Sequence, residues 1–195
     1  MKPREILKGR LIDPTDLVEF REQTRKMSKT IVFTAGGWDL LHVGQMRYLH
    51  EAGQHADVLV VGVESNEAIR SVKGPNKPIL DEWIRAESLA FLKAVDFITF
   101  IPIPSVQPTL ALLKPDVFIT VKEKYNDKLK ESKEYKTVTE YGGKVVLVDR
   151  QSPFVSTTSI VQRMIGSHLS EIFEQFIEKK KSPIREKFYA ANGNK

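Results

Sequence analysis

The sequence predicts an α/β domain built on a parallel, doubly wound sheet of about five strands, with helical extensions at both ends. Five short apolar runs have the character of buried strands, at 30–34, 58–63, 97–101, 117–121 and 144–148. Segments of helical periodicity separate these runs, and turns rich in glycine or proline end several of them. Nearly continuous apolar runs are typical of parallel strands covered on both faces, so the alternation predicts this fold class.

The chain divides into three predicted parts. Residues 1–28 form a helical lead, in which Asp13-Pro14 marks a helix start with an acidic N-cap and a proline at the first helical position. Residues 29–166 form the main domain, and residues 167–195 a C-terminal extension. Helices of the main domain are expected from His42, from Asp81 to Lys93, over Val106–Leu113 and Lys128–Glu140, and after Ser156, with a loop over Ser71–Pro78.

The sequence of the C-terminal extension predicts one strongly amphipathic helix, from about Ser167 to Glu178. Its apolar positions recur three and four residues apart, at Leu169, Ile172, Phe173, Phe176 and Ile177. This helix either folds back over the domain or packs against a second subunit, and an exposed stripe of this kind favours a homodimer. The tail from Lys179 to Lys195 has no apolar period and is expected to be frayed.

Composition excludes several classes of protein. The 195 residues include no cysteine, which excludes a disulfide scaffold, a thiolate zinc site and cysteine catalysis. The formal net charge of +5 is spread along the chain and is densest at 122–136 and 179–181. No basic stripe interleaved with aromatic residues occurs. We therefore expect a site for phosphorylated small molecules and no nucleic-acid partner.

The N-terminal residues lack the apolar region of a secretion signal, and no apolar run reaches 18 residues. The sequence therefore predicts a cytoplasmic protein without a membrane partner.

The first candidate site follows the first predicted strand, at Thr34-Ala35-Gly36-Gly37-Trp38-Asp39 and on to His42 and Gln45. Ligands of open α/β sheets bind beyond the carboxyl ends of the strands, where a helix presents unpaired N–H groups to anions. Glycines allow the backbone to approach a phosphate, and residues 42 and 45 share a face of the first helical turn. This stretch predicts a phosphate site, although a Gly-Gly pair alone is common in turns.

Two further segments are suggestive only in combination with the first. Ser156-Thr157-Thr158 opens a late helix and offers hydroxyl and N–H donors, although a plain helix cap has the same residues. Lys73 lies in a basic loop and Arg85 on the next helix, where isolated cations are usually solvated.

Together these segments resemble the nucleotidyltransferases with an HxGH signature, the cytidylyltransferase-like superfamily, most closely its heptose phosphate adenylyltransferase branch. The resemblance covers about residues 5–165 and rests on several motifs in the right order. They are residues 31–49, Lys73-Gly74, Pro78, Arg85, 94–96, 114–116, 141–146 and Ser156-Thr157-Thr158.

The resemblance implies a Rossmann-like fold and transfer of a nucleotide from ATP or CTP to a sugar or polyol phosphate. Magnesium would arrive with the NTP, and the protein would supply no metal ligand. Catalytic roles are implied for His42, Gln45, Lys73 and Arg85. Nucleotide binding is implied for Thr34, Gly36, Gly37, Trp38, Asp39, His42, Gln45, Ser156, Thr157 and Thr158, and acceptor binding for Asp39, Lys73, Lys122 and Arg85.

Three departures from the family pattern bear on activity. Gln45 replaces the second signature histidine and can donate a hydrogen bond but carries no positive charge. Gly37-Trp38 replaces a Cys-Phe pair, and 120–125 lacks the glycines of the family's acceptor segment. A catalytically weak nucleotide-binding relative with a regulatory or assembly role is the alternative, as is an enzyme with another phosphorylated acceptor.

Overall fold

The computed structural model describes residues 3–125, 128–151 and 155–180. Its strands are β1 (Leu11–Ile12), β2 (Ile31–Gly36), β3 (Val58–Glu64), β4 (Phe97–Ile101), β5 (Val117–Val121) and β6 (Lys144–Val148). Its α-helices are α1 (Pro3–Ile6), α2 (Leu17–Lys26), α3 (Val43–Ala52), α4 (Asn66–Lys73), α5 (Glu82–Ala90), α6 (Gln107–Leu113), α7 (Lys133–Glu140) and α8 (Thr157–Lys180). Short 3₁₀ helices cover Pro14–Asp16, Gly53–His55, Lys122–Lys124 and Leu129–Glu131.

The six described strands form one sheet in the order β1-β4-β3-β2-β5-β6, and all of its pairings are parallel. The doubly wound Rossmann-like fold is thereby confirmed, but the expected number of strands was one too low. The additional strand, β1, pairs Leu11 with Ile98 at the edge of the sheet. Two residues give no readable periodicity, and tertiary pairing alone makes them a strand.

Helices cover both faces of the sheet and bury a separate apolar cluster on each. On one face, α3 contributes Tyr48 and Leu49 and α5 contributes Leu89. On the other, α2 contributes Leu17, with further residues from α6 and α7, Leu110, Leu113 and Val138. Burial on both faces explains why the central strands are apolar at nearly every position, since β3 is buried from Val58 to Val63.

Two corrections concern the segment between β3 and β4. Helix α4 was not expected, and it includes Lys73, so the predicted loop begins only at Gly74. The helix has a local start signal, because the Ser65 hydroxyl accepts a hydrogen bond from the N–H of Ala68. Helix α5 starts as predicted, with Asp81 as its N-cap, but ends at Ala90.

Among the described residues, 155–180 form a unit of their own. Its helix α8 is continuous from Thr157 to Lys180, where two successive helices were expected. Ser156 and Ser159 close its N-terminus reciprocally: each hydroxyl accepts the other residue's backbone N–H, at 2.8 and 3.1 Å. The predicted cap is therefore present, while the predicted domain boundary at residue 166 falls inside this helix and stays a prediction.

From Met164 onward the described apolar side chains of α8 are exposed, among them Leu169, Ile172 and Phe173. Phe176 and Ile177 of the predicted stripe, and the tail from 181 onward, lie outside the residues whose side chains are described. No helix in the described ranges is both long and apolar enough to cross a membrane.

Candidate functional site

The topology places a crevice at the carboxyl ends of β2 and β5. These two strands are neighbours, but α3 follows β2 onto one face of the sheet and α7 follows β5 onto the other. Connections that leave in opposite directions open a gap between adjacent strand ends, and ligands of doubly wound sheets bind there. The predicted phosphate segment begins at this point, at the end of β2.

The turn after β2 has an unusual backbone held in place by a buried tryptophan. Trp38 and Leu40 adopt left-handed conformations, with φ of 52° and 46°. Such values cost a residue with a side chain roughly 1–2 kcal/mol. Trp38 is buried, and its indole N–H donates to the carbonyl of Gly62 at 2.9 Å. Strained turns of this kind are typical of functional sites. Here the burial of Trp38 and its hydrogen bond stabilise the strained backbone conformation.

Asp39 connects this turn by hydrogen bonds to the loop that precedes α5. Its carboxylate accepts the backbone N–H groups of Ile79 and Leu80, at 2.9 and 3.0 Å. The sequence had suggested Asp39 for nucleotide and acceptor binding. The structure gives it a positioning contact, which fixes the segment that leads into α5.

Helix α3 begins directly after the turn, with His42 as its N-cap residue. The Gln45 side-chain oxygen accepts the backbone N–H of His42 at 3.2 Å, so Gln45 closes the start of the helix. The His42 side chain faces the backbone N–H of Gln45 in return, which completes a capping box, and its Nδ1 atom is buried. His42 and Gln45 therefore both take part in the cap of α3.

The electrostatic surroundings of His42 favour its neutral form. Burial, followed by the nearby positive charge of Arg150, lowers the pKa of His42. Arg150 follows β6 and lies at the edge of ion-pair distance from Glu123, 4.0 Å between Nε and Oε1. Sequence analysis missed Arg150 because its approach to His42 arises only when β6 joins the sheet.

Thr34 was expected to bind nucleotide, but its side chain faces the interior. It is 1% exposed, and its hydroxyl lies 2.6 Å from that of Tyr48, which donates to the carbonyl of Ile119 at 3.0 Å. This chain of hydrogen bonds joins β2, α3 and β5 beneath the crevice. The hydroxyl of Thr34 therefore makes a buried structural contact, and nucleotide binding by this residue stays a prediction.

Arg85 is the largest of the fully buried side chains, with an exposed fraction of 0%. Its guanidinium donates to the carbonyls of Leu80 (3.0 Å), Glu64 (2.8 Å) and Gly37, and to Oδ1 of Asn66 (3.0 Å). These acceptors belong to the turn after β2, the end of β3, the start of α4 and the segment before α5.

The structure thus gives Arg85 other partners than the acceptor phosphate or the pyrophosphate, and the expected contact with either stays a prediction. Four of its five N–H groups are already used, and the side chain has no exposed surface. Burial lowers the pKa of Arg85, and the carboxylates of Asp39 and Glu82 oppose that effect. Arg85 joins the segments that form the crevice, so its role is positional.

A cavity of about 200 Å³ opens beside Gly37. Its walls include the apolar side chains of Ala35, Ile69, Ile101 and Phe118, and its charged residues are Glu64, Lys73, Lys124 and Glu134. A Cβ atom placed on Gly37 would lie 3.2 Å from Ile69 Cδ1, 3.6 Å from Glu64 Oε2 and 3.8 Å from Lys73 Nζ. The structure thus places Lys73 next to the Gly36-Gly37 turn. This proximity is what a shared role of Lys73 and the turn in phosphate binding would require.

Of the two lysines that follow β5, Lys124 lines this cavity and Lys122 does not, so the acceptor binding expected of Lys122 stays a prediction. Lys122 pairs with Asp149 at 2.9 Å, both side chains are more than half exposed, and neither lines the cavity. Lys124 lines it instead, and its ammonium lies 3.1 Å from Glu134 Oε1 and 5.3 Å from the ring centroid of Tyr125. Both lysines belong to one short 3₁₀ helix, so sequence alone did not show which one turns inward.

The third predicted segment, Ser156-Thr157-Thr158, lies at the start of α8. Ser156 acts as the helix cap described above, and the expectation that Ser156, Thr157 and Thr158 help to enclose phosphates stays a prediction. Within the described ranges, no three histidine, aspartate or glutamate side chains group closely enough to hold a metal ion.

Comparison with known families gives one match along most of the chain. The cytidylyltransferase-like family model matches residues 33–163. Curated relatives named bifunctional protein HldE include one from Syntrophotalea carbinolica, 37% identical over 148 residues, covering 75% of this chain and 29% of the relative. Another, from Geotalea uraniireducens, is 38% identical over 154 residues, covering 77% of this chain and 29% of the relative. The chain thus spans under a third of the length of these relatives.

Among solved structures, the lipopolysaccharide core biosynthesis protein from Thermoplasma volcanium is similar, with a TM-score of 0.53 and 28% identity. The match covers 63% of this chain and 98% of that protein. The shared portion therefore corresponds to nearly the whole of that protein.

Proposed function

Because this chain belongs to the cytidylyltransferase-like family, we propose that it transfers the nucleotide of an NTP, ATP or CTP, to a small phosphorylated acceptor and releases pyrophosphate. One observation carries the proposal. The turn at Gly36-Gly37 leads directly into the start of α3, and the ammonium of Lys73 lies 3.8 Å from the position that a Cβ atom on Gly37 would take. Backbone donors and a cation beside one turn suit a triphosphate and the group that attacks it.

The NTP phosphates would lie over the N-terminus of α3, near the backbone of residues 36–38. Unpaired N–H groups of the first turn and the helix dipole stabilise anions there. His42 would donate a hydrogen bond to the phosphates from the neutral imidazole that its lowered pKa implies. Magnesium bound to the triphosphate would neutralise part of its charge.

The reaction needs no covalent intermediate on the protein. A phosphate oxygen of the acceptor attacks the α-phosphorus, a new P–O bond forms, and the bond from that phosphorus to the bridging oxygen breaks. The bridging oxygen leaves with pyrophosphate and takes the developing negative charge. Positioning and charge neutralisation suffice for this chemistry, which is consistent with a site of N–H donors, a histidine and a lysine.

The comparisons favour a sugar phosphate as acceptor. The chain resembles heptose phosphate adenylyltransferases in its motifs, and its similarity to a lipopolysaccharide core biosynthesis protein points to sugar chemistry. We propose that the acceptor phosphate enters the cavity beside Lys73, because this ammonium is near the turn and forms none of the described ion pairs.

Pyrophosphate release tests the proposed activity directly. The protein is incubated with ATP or CTP, magnesium and a pool of sugar 1-phosphates and polyol phosphates, and pyrophosphate is measured against controls lacking acceptor. Release that depends on an acceptor supports the enzyme. Tight binding of either nucleotide without release from any pool would favour the regulatory relative instead.

Gln45 provides a further prediction. Substitution Gln45→His restores the family residue and should raise kcat or leave it unchanged, because histidine adds a chargeable donor and can still cap the helix. Loss of a hydrogen-bond donor to the transition state typically costs about 2–4 kcal/mol. Restoring the histidine should therefore raise kcat by at most roughly 30- to 1000-fold. Gln45→Ala is the matched control and should lower kcat and thermal stability. A sharp fall in kcat for Gln45→His would show that glutamine has a specialised role here.

We also propose that the exposed apolar stripe of α8 pairs with a second copy of the chain. Leu169 and Phe173 are 59% and 67% exposed, which is a large apolar surface for one helix. The double substitution Leu169→Ser, Phe173→Ser should convert a dimer into a monomer in light scattering. Glu174→Ser is the control and should leave the mass unchanged. A native protein that is monomeric at high micromolar concentration would refute the pairing.

A further inference from the structure

The cavity beside Gly37 has charged groups on two sides and hydrocarbon between them. Lys73 ends α4, which follows β3, whereas Lys124 follows β5, and β2 lies between these two strands. The two ammonium groups thus approach the cavity from opposite sides of β2. Ala35 of β2, Ile101 of β4 and Phe118 of β5 contribute the apolar wall between them.

Lys124 is held in place more firmly than a typical surface lysine. Its ammonium is paired with Glu134 of α7 and lies against the ring of Tyr125, and its side chain is about half exposed, at 47%. Burial opposes its charged form, but Tyr125 and Glu134 outweigh that effect and keep the pKa of Lys124 above its ordinary value. An ammonium has three donors, so two remain after the bond to Glu134.

We propose that Lys124 is a specificity residue that binds an oxygen function of the acceptor at the end remote from its phosphate. The inference rests on the proposed function, because it takes the cavity as the acceptor pocket. Lys73, next to the turn, receives the phosphate that attacks the nucleotide, and Lys124 receives a hydroxyl or carboxylate oxygen.

The apolar wall adds a restriction on the middle of the acceptor. Hydroxyl groups pressed against Ala35 and Phe118 would lose hydrogen bonds to water without replacement, at about 1–3 kcal/mol each. The preferred acceptor therefore presents C–H groups to this wall and oxygen atoms to its two ends.

Calorimetric binding of three small phosphomonoesters tests the assignment. 3-Hydroxypropyl phosphate and 3-phosphooxypropanoate carry a distal hydroxyl and a distal carboxylate on an otherwise unsubstituted chain, and propyl phosphate has similar length without either. We expect the first two to bind the native protein about five- to tenfold more tightly than propyl phosphate, the range for a partly exposed charged hydrogen bond. Lys124→Gln should abolish this preference and leave propyl phosphate binding unchanged.

Two further variants distinguish loss of the Lys124 cation from loss of any nearby lysine. Lys124→Arg retains the cation and should keep most of the preference, and Lys130→Gln, an exposed lysine of the following 3₁₀ helix, should keep all of it. Equal binding of the three compounds to the native protein, or an undiminished preference in Lys124→Gln, would overturn the proposal. A Lys124-dependent preference without pyrophosphate release under any condition would instead count against the reaction and leave the binding role intact.

Discussion

Substitution of Arg85 by methionine is expected to lower the free energy of unfolding by about 3–5 kcal/mol and to abolish nucleotidyl transfer. The methionine fills much of the same volume but donates no hydrogen bond. Three backbone carbonyls and Oδ1 of Asn66 then lose their shared donor in the interior. Because those acceptors lie on separate segments of the crevice, loosening them should disturb catalysis as well as stability.

The measurements are urea denaturation and steady-state pyrophosphate release. Arg70→Met, on the exposed side of α4, is the control and should change the unfolding free energy by less than about 0.5 kcal/mol. Arg85→Lys should lie between the two, since a single ammonium cannot reproduce the guanidinium's fork of donors. Loss of turnover in Arg85→Lys with unchanged stability would restore the original interpretation, in which Arg85 contacts a phosphate.

Arg85 also shows where inference from sequence ends. Its residue type and its place after a basic loop suggested a cation for a phosphate, and nothing nearby in the sequence marked it as buried. The acceptors of its hydrogen bonds are up to 48 residues away along the chain. A side chain's partners at such separations depend on how the strands assemble, which local pattern does not encode.

The sheet was far more predictable than the site. Strands β4, β5 and β6 begin and end where the apolar runs do, because nearly all of their residues are at least partly buried and are therefore apolar. Strand β1 and helix α4 were missed for the opposite reason: β1 is two residues long, and α4 is a short helix with few apolar positions.

The turn at Gly36-Gly37 could be recognised in the sequence because it depends only on residues close together in the chain. Glycines, an N-cap and a helix start act within a few residues of one another. Lys124 and Arg150 had no such signal, since Lys124 lines the cavity and Arg150 influences His42 only after β5 and β6 align with β2. Lys122 and Lys124 differ in role although they are two positions apart, because a 3₁₀ helix turns them to different sides.

Replacement of His42 by alanine is expected to reduce kcat by roughly 30- to 1000-fold while changing the dissociation constant of the NTP by less than about threefold. Backbone N–H groups at the start of α3 can hold the triphosphate in the ground state without the imidazole. The charge on the departing pyrophosphate develops mainly in the transition state, where the donor of His42 would act.

Calorimetry with ATP and CTP gives the binding constants, and pyrophosphate release gives kcat. His50→Ala, on an exposed face of the same helix, is the matched control and should preserve both quantities. His42→Gln keeps an N–H donor and should recover part of the lost turnover, which a purely structural role for the imidazole would not produce. Equal losses in binding and kcat for His42→Ala would mean that His42 holds the ground-state phosphates, and its assignment to the transition state would be wrong.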